Sequence, residues 1–281
     1  MSNQNVGILH PGEMGISVAA SIKNSDREVF WVSEGRSEKT LARAAKYELT
    51  DASCLQSLCD QCDIIFSVCP PHAAEDVAAQ VIECSFSGMY VDANAISPQR
   101  SISIGKTLVD TGIIFVDGGI VGGPAWQPGT TWLHLAGQEA ETAADCFAKG
   151  HMGTRIIGPD IGKASALKMC FAAYTKGTTA LLSGIISTAE ALGVRQELFK
   201  QWEVFGPDFA DQSAKRVQGV TAKAWRFVGE MEEISKTFEE AGLPGGFHAA
   251  AADIYRRIGH FKDSPELPSL EAVLSALTKA D

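Results

Sequence analysis

Apolar and polar positions divide the chain into two patterns. Up to Ile157 short apolar runs alternate with stretches of helical period, and from Gly162 onward only the helical period remains. The runs Val6 to Leu9, Val29 to Val32, Ile64 to Val68, Met89 to Val91, Ile113 to Val116, Thr131 to Ala136 and Arg155 to Ile157 read as strands. Helices are expected from Met14 to Lys23, from Pro71-His72 to Cys84, from Ser97-Pro98 onward and from Glu139 to Lys149. Ser97 is a capping residue and Pro98 fits the first helical position. The alternation predicts an α/β Rossmann-type doubly wound domain over residues 1–160, with ligands at the carboxyl ends of its strands. An all-α C-terminal domain follows over residues 161–281.

The stretch from Gly162 to Leu192 organises this plan. It has no proline and is apolar on nearly every side, through Leu167, Phe171, Tyr174, Leu181, Leu182, Ile185, Ile186 and Ala189. That pattern predicts a buried helix of about 28 residues joining the two domains. Gly158-Pro159 breaks the chain before it and Gly193 is placed to end it. Further helices are expected at Arg195 to Phe205, at Asp208 to Ala241 with a break near Gly219 or Gly229, at Phe247 to Phe261 and at Leu270 to Lys279. Lys168 stands in apolar company in the first turns of the long helix, which calls for a chemical reason. The bland alternative is a lysine that snorkels at a domain seam.

Composition narrows the classes. The chain has 281 residues, 45% of them apolar and 21% charged, enough for one or two ordinary globular domains. A net charge of −10 without a basic cluster argues against nucleic acid as a partner. MSNQNVGILH lacks the layout of a signal peptide, and no apolar run matches a membrane span. Seven cysteines, an odd count, fit a reducing cytoplasm. Cys59 and Cys62 form a CxxC near Cys54, with no second pair at ligand spacing, so no metal is expected. His10, His72, His134 and His151 are isolated and read as structural.

Candidate chemistry begins at His10-Pro11-Gly12-Glu13-Met14-Gly15, between the first strand and the first helix. Gly12 lets the backbone approach a pyrophosphate, and Gly15 lets the helix pack closely on the strand. The helix N-terminus offers N–H groups to phosphates. His10 occupies the position of the fingerprint's first glycine. Glu13 and Met14 belong to the same turn, and Cys69-Pro70 after the Ile64 strand completes the expected cofactor-binding set. After the second strand come Ser33, Glu34, Gly35, Arg36 and Ser37. An arginine there suits a ribose 2′-phosphate and an acid suits a 2′-hydroxyl. Arg36 and Ser37 favour NADP, while Glu34 leaves NAD open; a solvated turn with Ser37 as a helix cap is the plain alternative. Asp117 to Pro124 holds four glycines in seven residues and reads as a loop that lies close to another group. Trp225 to Glu233 mixes aromatics with charge and fits a partner surface, a second active site or an ordinary amphipathic helix. Leu243 to His248 reads as a connector that approaches a ligand.

Five segments coincide in order: VGILHPGEMG (6–15), SVCPP (67–71), VDANAISP (91–98), DGGIVGGP (117–124) and GKASALKM (162–169). Together they resemble the β-hydroxyacid dehydrogenase family, which includes 3-hydroxyisobutyrate and 6-phosphogluconate dehydrogenases. The resemblance covers residues 5–192 well and the remainder loosely, as in a divergent, uncharacterised branch. It implies NAD(P)-dependent oxidation of a 3-hydroxy acid and homodimers or larger assemblies through the helical domain. It assigns the acid–base role to Lys168, with burial and a nearby nicotinamide cation both favouring a neutral amine. It also places Asn94 in the catalytic set and puts Val121, Gly122, Gly123 and Glu230 around the substrate, while helical spacing on the Lys168 face sets Phe171, Ala172 and Thr175 on one stripe beside it. The chain departs from the family pattern at several of these. Val121 replaces a serine, Ala172 replaces an asparagine, Asn94 replaces a serine or threonine, and Gly229-Glu230 replaces a Lys-Asp pair. The substrate half is thus rewritten toward a bulkier or less charged compound. The leading expectation is an NADP-dependent oxidoreductase of a CH–OH/C=O couple. The alternatives are an imine reductase or reductive aminase, motivated by the lost serine and asparagine, and a non-catalytic NADP-binding protein.

Overall fold

The protein was analysed as a computed structural model that describes residues 4–278. It divides into two compact units, residues 1–169 and 170–281.

In the first unit strands and helices alternate as β1 (Val6–Leu9), α1 (Glu13–Lys23), β2 (Val29–Trp31), α2 (Glu38–Lys46), β3 (Thr50–Asp51), α3 (Leu55–Gln61) and β4 (Ile64–Ser67). There follow α4 (Ala74–Glu83), β5 (Met89–Asp92), α5 (Pro98–Val109), β6 (Ile114–Val121), β7 (Trp132–Ala136), α6 (Ala140–Asp145) and β8 (Gly153–Ile156). The eight strands form one sheet in the order β3-β2-β1-β4-β5-β6-β7-β8. All pairs are parallel except β6 with β7. Strand order reverses between β1 and β4, and at such a reversal a crevice opens beyond the carboxyl ends of the strands.

The central strands are buried on both faces, as their continuous apolar runs require. One face sets Ile8, Trp31, Phe66 and Val91 against α1 and Phe147. The other sets Phe30, Ile65, Tyr90 and Phe115 against α3, α4 and α5. Gly7 admits α3, because a Cβ there would lie 2.7 Å from Leu58 Cδ2.

Four boundaries differ from the sequence expectation. β3 is an edge strand of two exposed residues, too short to carry a period. The helix expected from Glu139 to Lys149 ends as α6 at Asp145, and turns carry the chain to Gly150. Pro71–Ala73 forms a 3-10 turn before α4 begins. The supposed glycine loop from Asp117 is strand up to Val121, because β7 pairs with Asp117 to Val121 residue by residue. Gly118 and Gly119 are there for packing. A Cβ on Gly118 would lie 2.9 Å from the Asp92 carbonyl oxygen, and one on Gly119 would lie 2.5 Å from that of Ala164.

The long helix is α7 (Lys163–Ala191), 29 residues. Its start is fixed by Asp117, which is wholly buried. Asp117 Oδ2 accepts from the backbone N–H groups of Gly162 (2.9 Å), Ala164 (2.9 Å) and Ser165 (3.1 Å). Its Oδ1 accepts from the hydroxyls of Ser165 (2.6 Å) and Ser101 on α5 (3.0 Å). A strand residue thus caps a helix 45 positions later and complements its dipole.

The second unit holds the rest of α7 with α8 (Arg195–Gln201), α9 (Phe209–Gly219), α10 (Thr221–Glu240), α11 (Gly246–Ile258) and α12 (Leu270–Thr278). Trp202–Phe205 is a 3-10 turn, which shortens the expected helix there. The expected Asp208 to Ala241 helix breaks at Gly219-Val220, the first of the two anticipated sites. The expected α11 continues past Ile258 only as a 3-10 turn, and the expected end of α12 at Lys279 lies outside the described residues. α10 and α11 pack along Met231, Ile234, Ala251 and Tyr255, and Tyr255 Oη donates to the Lys176 carbonyl at 2.7 Å. α7 is not buried all round as its composition suggested: Phe171, Tyr174, Leu181 and Ile185 are exposed. No helix among the described residues is long and apolar enough to cross a membrane.

Replacing Asp117 by asparagine leaves the N–H groups at the start of α7 facing an amide in place of a carboxylate. The expected loss is about 3 kcal/mol of stability, read as a lower urea midpoint at unchanged slope. An unmoved midpoint would show that the capping bonds carry no stability.

Candidate cofactor and catalytic site

The candidate residues of the first unit gather at the carboxyl ends of β1, β2, β4, β5 and β6. The β1–α1 turn is tight. His10 has φ +71°, and Gly12 N donates to the His10 carbonyl at 2.7 Å. A Cβ on Gly15 would collide with that same carbonyl, so glycine is required where α1 packs on the turn. Gly12 is the N-cap of α1 and supplies no side-chain acceptor to its first turn, where Glu13 lies. Met14 packs against the core beneath.

After β2, Arg36 N donates to the Ser33 carbonyl at 3.1 Å. Ser37 caps α2, its hydroxyl accepting from Thr40 N. Arg36 is partly buried, and its Nε is enclosed with no hydrogen-bond partner. His10 Nδ1 is in the same condition. The two side chains are close enough to interact: burial, and then the Arg36 charge, push the His10 pKa down to about 4. The imidazole is therefore neutral at physiological pH. On α2, Arg43 Nη1 donates to the Pro11 carbonyl at 3.3 Å and ties that helix to the turn.

At the ends of β4 and β5, Asn94 is buried and both ends of its amide are used. Its Oδ1 accepts from Cys69 N at 2.6 Å and its Nδ2 donates to Ser67 Oγ at 3.1 Å. Its own N–H donates to Asp92 Oδ1 at 2.9 Å. Asn94 thereby sets the path of Cys69-Pro70 as the chain leaves the sheet. Burial raises the Asp92 carboxyl to about 7 and the Cys69 thiol to about 12, so that thiol stays protonated.

At the end of β6, Val121 is half-buried and Gly122 and Gly123 are exposed. Gly122 has φ +122°, and Thr131 Oγ1 donates to the Gly123 carbonyl at 2.7 Å, closing the loop. Trp126 of this loop stacks on Tyr47 after α2, with ring centroids 5.2 Å apart. Lys168 is half-buried, and its Cβ would lie 3.1 Å from a Cβ on Gly119. The lysine stem thus rests on the backbone of β6.

The remaining candidates lie in the second unit. Phe171 is exposed, while Ala172 is wholly buried, so the two do not present one surface. Thr175 Oγ1 turns back to the Phe171 carbonyl at 3.1 Å. Glu230 is paired with Lys176, whose ammonium also lies 4.5 Å from the Phe227 ring centroid. The Trp225 to Glu233 segment forms part of α10, with Lys262 4.1 Å from the Trp225 ring centroid.

Sequence reasoning missed Asp117 and the Ser67–Asn94 bond. One signal for the first was present: α7 starts after Gly162, which has no capping side chain, so its acceptor had to come from elsewhere.

Residues 5–149 match the NAD binding domain of 6-phosphogluconate dehydrogenase, and residues 189–258 match DUF1932, a domain of unknown function. The chain is 30% identical to an uncharacterised 28.5 kDa protein of Methanothermus fervidus, over 82% of this chain and 89% of that one. It is 25% identical to a solved conserved protein of unknown function described as similar to 3-hydroxyacid dehydrogenases, with a TM-score of 0.66 over 90% of this chain and 97% of that one. The fold also matches Mycobacterium tuberculosis 3-hydroxyisobutyrate dehydrogenase, with a TM-score of 0.71, 15% identity, and 98% and 99% of the two chains covered. The nicotinamide-binding fold, the glycine turn at its switch point and these matches place the chain in the β-hydroxyacid dehydrogenase family of NAD(P)-dependent oxidoreductases, in a divergent branch that carries DUF1932.

Proposed function

We propose that the chain is an NADP-preferring oxidoreductase acting on the CH–OH/C=O couple of a small organic acid or a related compound, with Lys168 as its acid–base. The observation that carries this reading is the seating of Lys168. Asp117 fixes the start of α7, Gly119 removes the side chain that would hold the helix away, and the lysine stem lies on β6.

The residues fit the cofactor. Gly12, Glu13, Met14 and Gly15 would hold the pyrophosphate at the α1 N-terminus, and Cys69-Pro70 would border the nicotinamide half. Arg36 would meet the ribose 2′-phosphate, a reading supported by its enclosed, unpartnered Nε. When bound, the nicotinamide supplies the hydride acceptor or donor. Lys168 as a neutral amine takes the hydroxyl proton while the carbinol carbon becomes a carbonyl. In reduction its ammonium returns that proton to the forming alkoxide. Asn94 serves as a positioning residue that acts through Cys69. Val121, Gly122 and Gly123 line the substrate on the β6 side, with no hydroxyl offered at Val121. Seven unpaired cysteines support a cytoplasmic location.

We propose further that the protein is a homodimer through its helical unit. Phe171, Tyr174, Leu181 and Ile185 are exposed at intervals of three, seven and four residues along α7, the spacing of a helix-packing seam, and exposed Leu192 follows directly after it.

Three outcomes are expected. Lys168→Met lowers kcat by at least about 10³-fold with NADPH affinity nearly intact, measured on a panel of hydroxy acids with cyclic imines alongside; unchanged turnover would remove the acid–base role. Arg36→Ala weakens NADPH far more than NADH in a tryptophan energy-transfer titration, and equal weakening would refute the 2′-phosphate contact. The Leu181→Glu/Ile185→Glu double variant sediments as a monomer where the native chain sediments as a dimer; a native monomer would overturn the assembly.

A further inference from the structure

We propose that His10 is a specificity-determining residue which, with Arg36, holds the 2′-phosphate of the adenosine ribose. The inference rests on the NADP reading above and assigns a role to the residue that breaks the glycine fingerprint.

The backbone supplies the first argument. His10 sits at φ +71°, a conformation glycine adopts freely and a histidine adopts under strain. Such strain persists where the surroundings enforce it, and it concentrates at ligand sites. A glycine at position 10 would relieve the strain, so the imidazole has something to do there.

Its surroundings indicate what. His10 follows β1 and Arg36 follows β2, neighbouring parallel strands whose carboxyl ends flank the ribose position. His10 Nδ1 and Arg36 Nε are both enclosed and both without a hydrogen-bond partner. Buried nitrogens are ordinarily satisfied, and two on adjacent side chains point to one oxygen-rich ligand shared between them. Ser37, which follows Arg36 in the turn, is already committed to capping α2. Burial and the Arg36 charge keep the imidazole neutral, so it adds a donor beside the guanidinium without adding a second positive charge. A phosphate monoester offers three acceptor oxygens and can use both donors. A neutral ribose hydroxyl offers no charge to pair with the guanidinium, whereas a phosphate does.

The test compares 2′,5′-ADP with 5′-AMP as probes, which differ only in the 2′-phosphate, by calorimetry on the full chain. The native protein is expected to prefer 2′,5′-ADP by about 100-fold, and Arg36→Ala to reduce that preference to within about threefold. His10→Gly is expected to cut the preference about tenfold while leaving 5′-AMP affinity unchanged, and to raise the melting temperature by relieving the strained turn. His10→Asn, which tolerates positive φ and retains a donor, is expected to fall between glycine and histidine, and serves if the glycine variant fails to fold. If Arg36→Ala abolishes the preference and the His10 variants keep it, the NADP reading stands and the His10 role is overturned. Equal weakening of both probes in the His10 variants overturns it too, by assigning His10 to the pyrophosphate turn or to the fold. A native protein that does not distinguish the probes overturns the NADP reading and this inference with it.

Discussion

One buried carboxylate carries much of the first unit's organisation. Asp117 lies on a central strand, yet its two oxygens are used by α7 and α5 rather than by the sheet. A long helix leaving a sheet must satisfy the free N–H groups of its first turn; at the start of α7 the Asp160 carbonyl takes Lys163 N at 3.4 Å, while Ala164 and Ser165 turn to Asp117. The charge-assisted bonds from Asp117 meet that need and fix where the helix begins. Lys168 follows by about one and a half turns, so its place over β6 is set by the same bonds. Gly118 and Gly119 continue the logic, because the neighbouring backbone comes too close for any side chain there. The segment DGG is therefore a seat for a helix.

A second network governs the other side of the crevice. Asn94, Ser67 and Asp92 form a buried hydrogen-bonded set beneath Cys69, in which Asp92 Oδ2 is enclosed without a partner. Networks of this kind rigidify because leaving one member unpaired is expensive. The result is a hydrogen-bonded floor beside the strand reversal, with the tight glycine turn of β1–α1 next to it. The cofactor half of the family pattern is preserved through these constraints. The resemblance departs at Val121 and Ala172, where the family pattern has a serine and an asparagine, and the structure buries Ala172 completely.

In the second unit, polar groups tie helices to one another. Arg216 on α9 spans the Thr175 carbonyl and the hydroxyls of Thr178 and Thr179 on α7. The Lys176–Glu230 pair joins α7 to α10, with Phe227 beneath the ammonium. Removing one partner of a pair this well buried would strand the other charge, which makes Glu230 a structural partner of Lys176.

The sequence by itself determined the class of fold, the alternation of strands and helices, the fingerprint turn, the break at Gly219 and the lysine. Each of these is written in local signals: period, capping residues and glycines at turns. Only the tertiary structure decided that Asp117 caps α7 and that Gly118 and Gly119 lie within β6. It also decided that Asn94 reaches Cys69, that β3 exists and that His10 stands against Arg36. These are pairings between residues far apart in the chain, or elements too short to show a period, and no window of sequence contains both partners. The same reason explains the misjudged face of α7. Composition reports how apolar a helix is, but only its packing neighbours determine which of its apolar residues meet protein and which meet water.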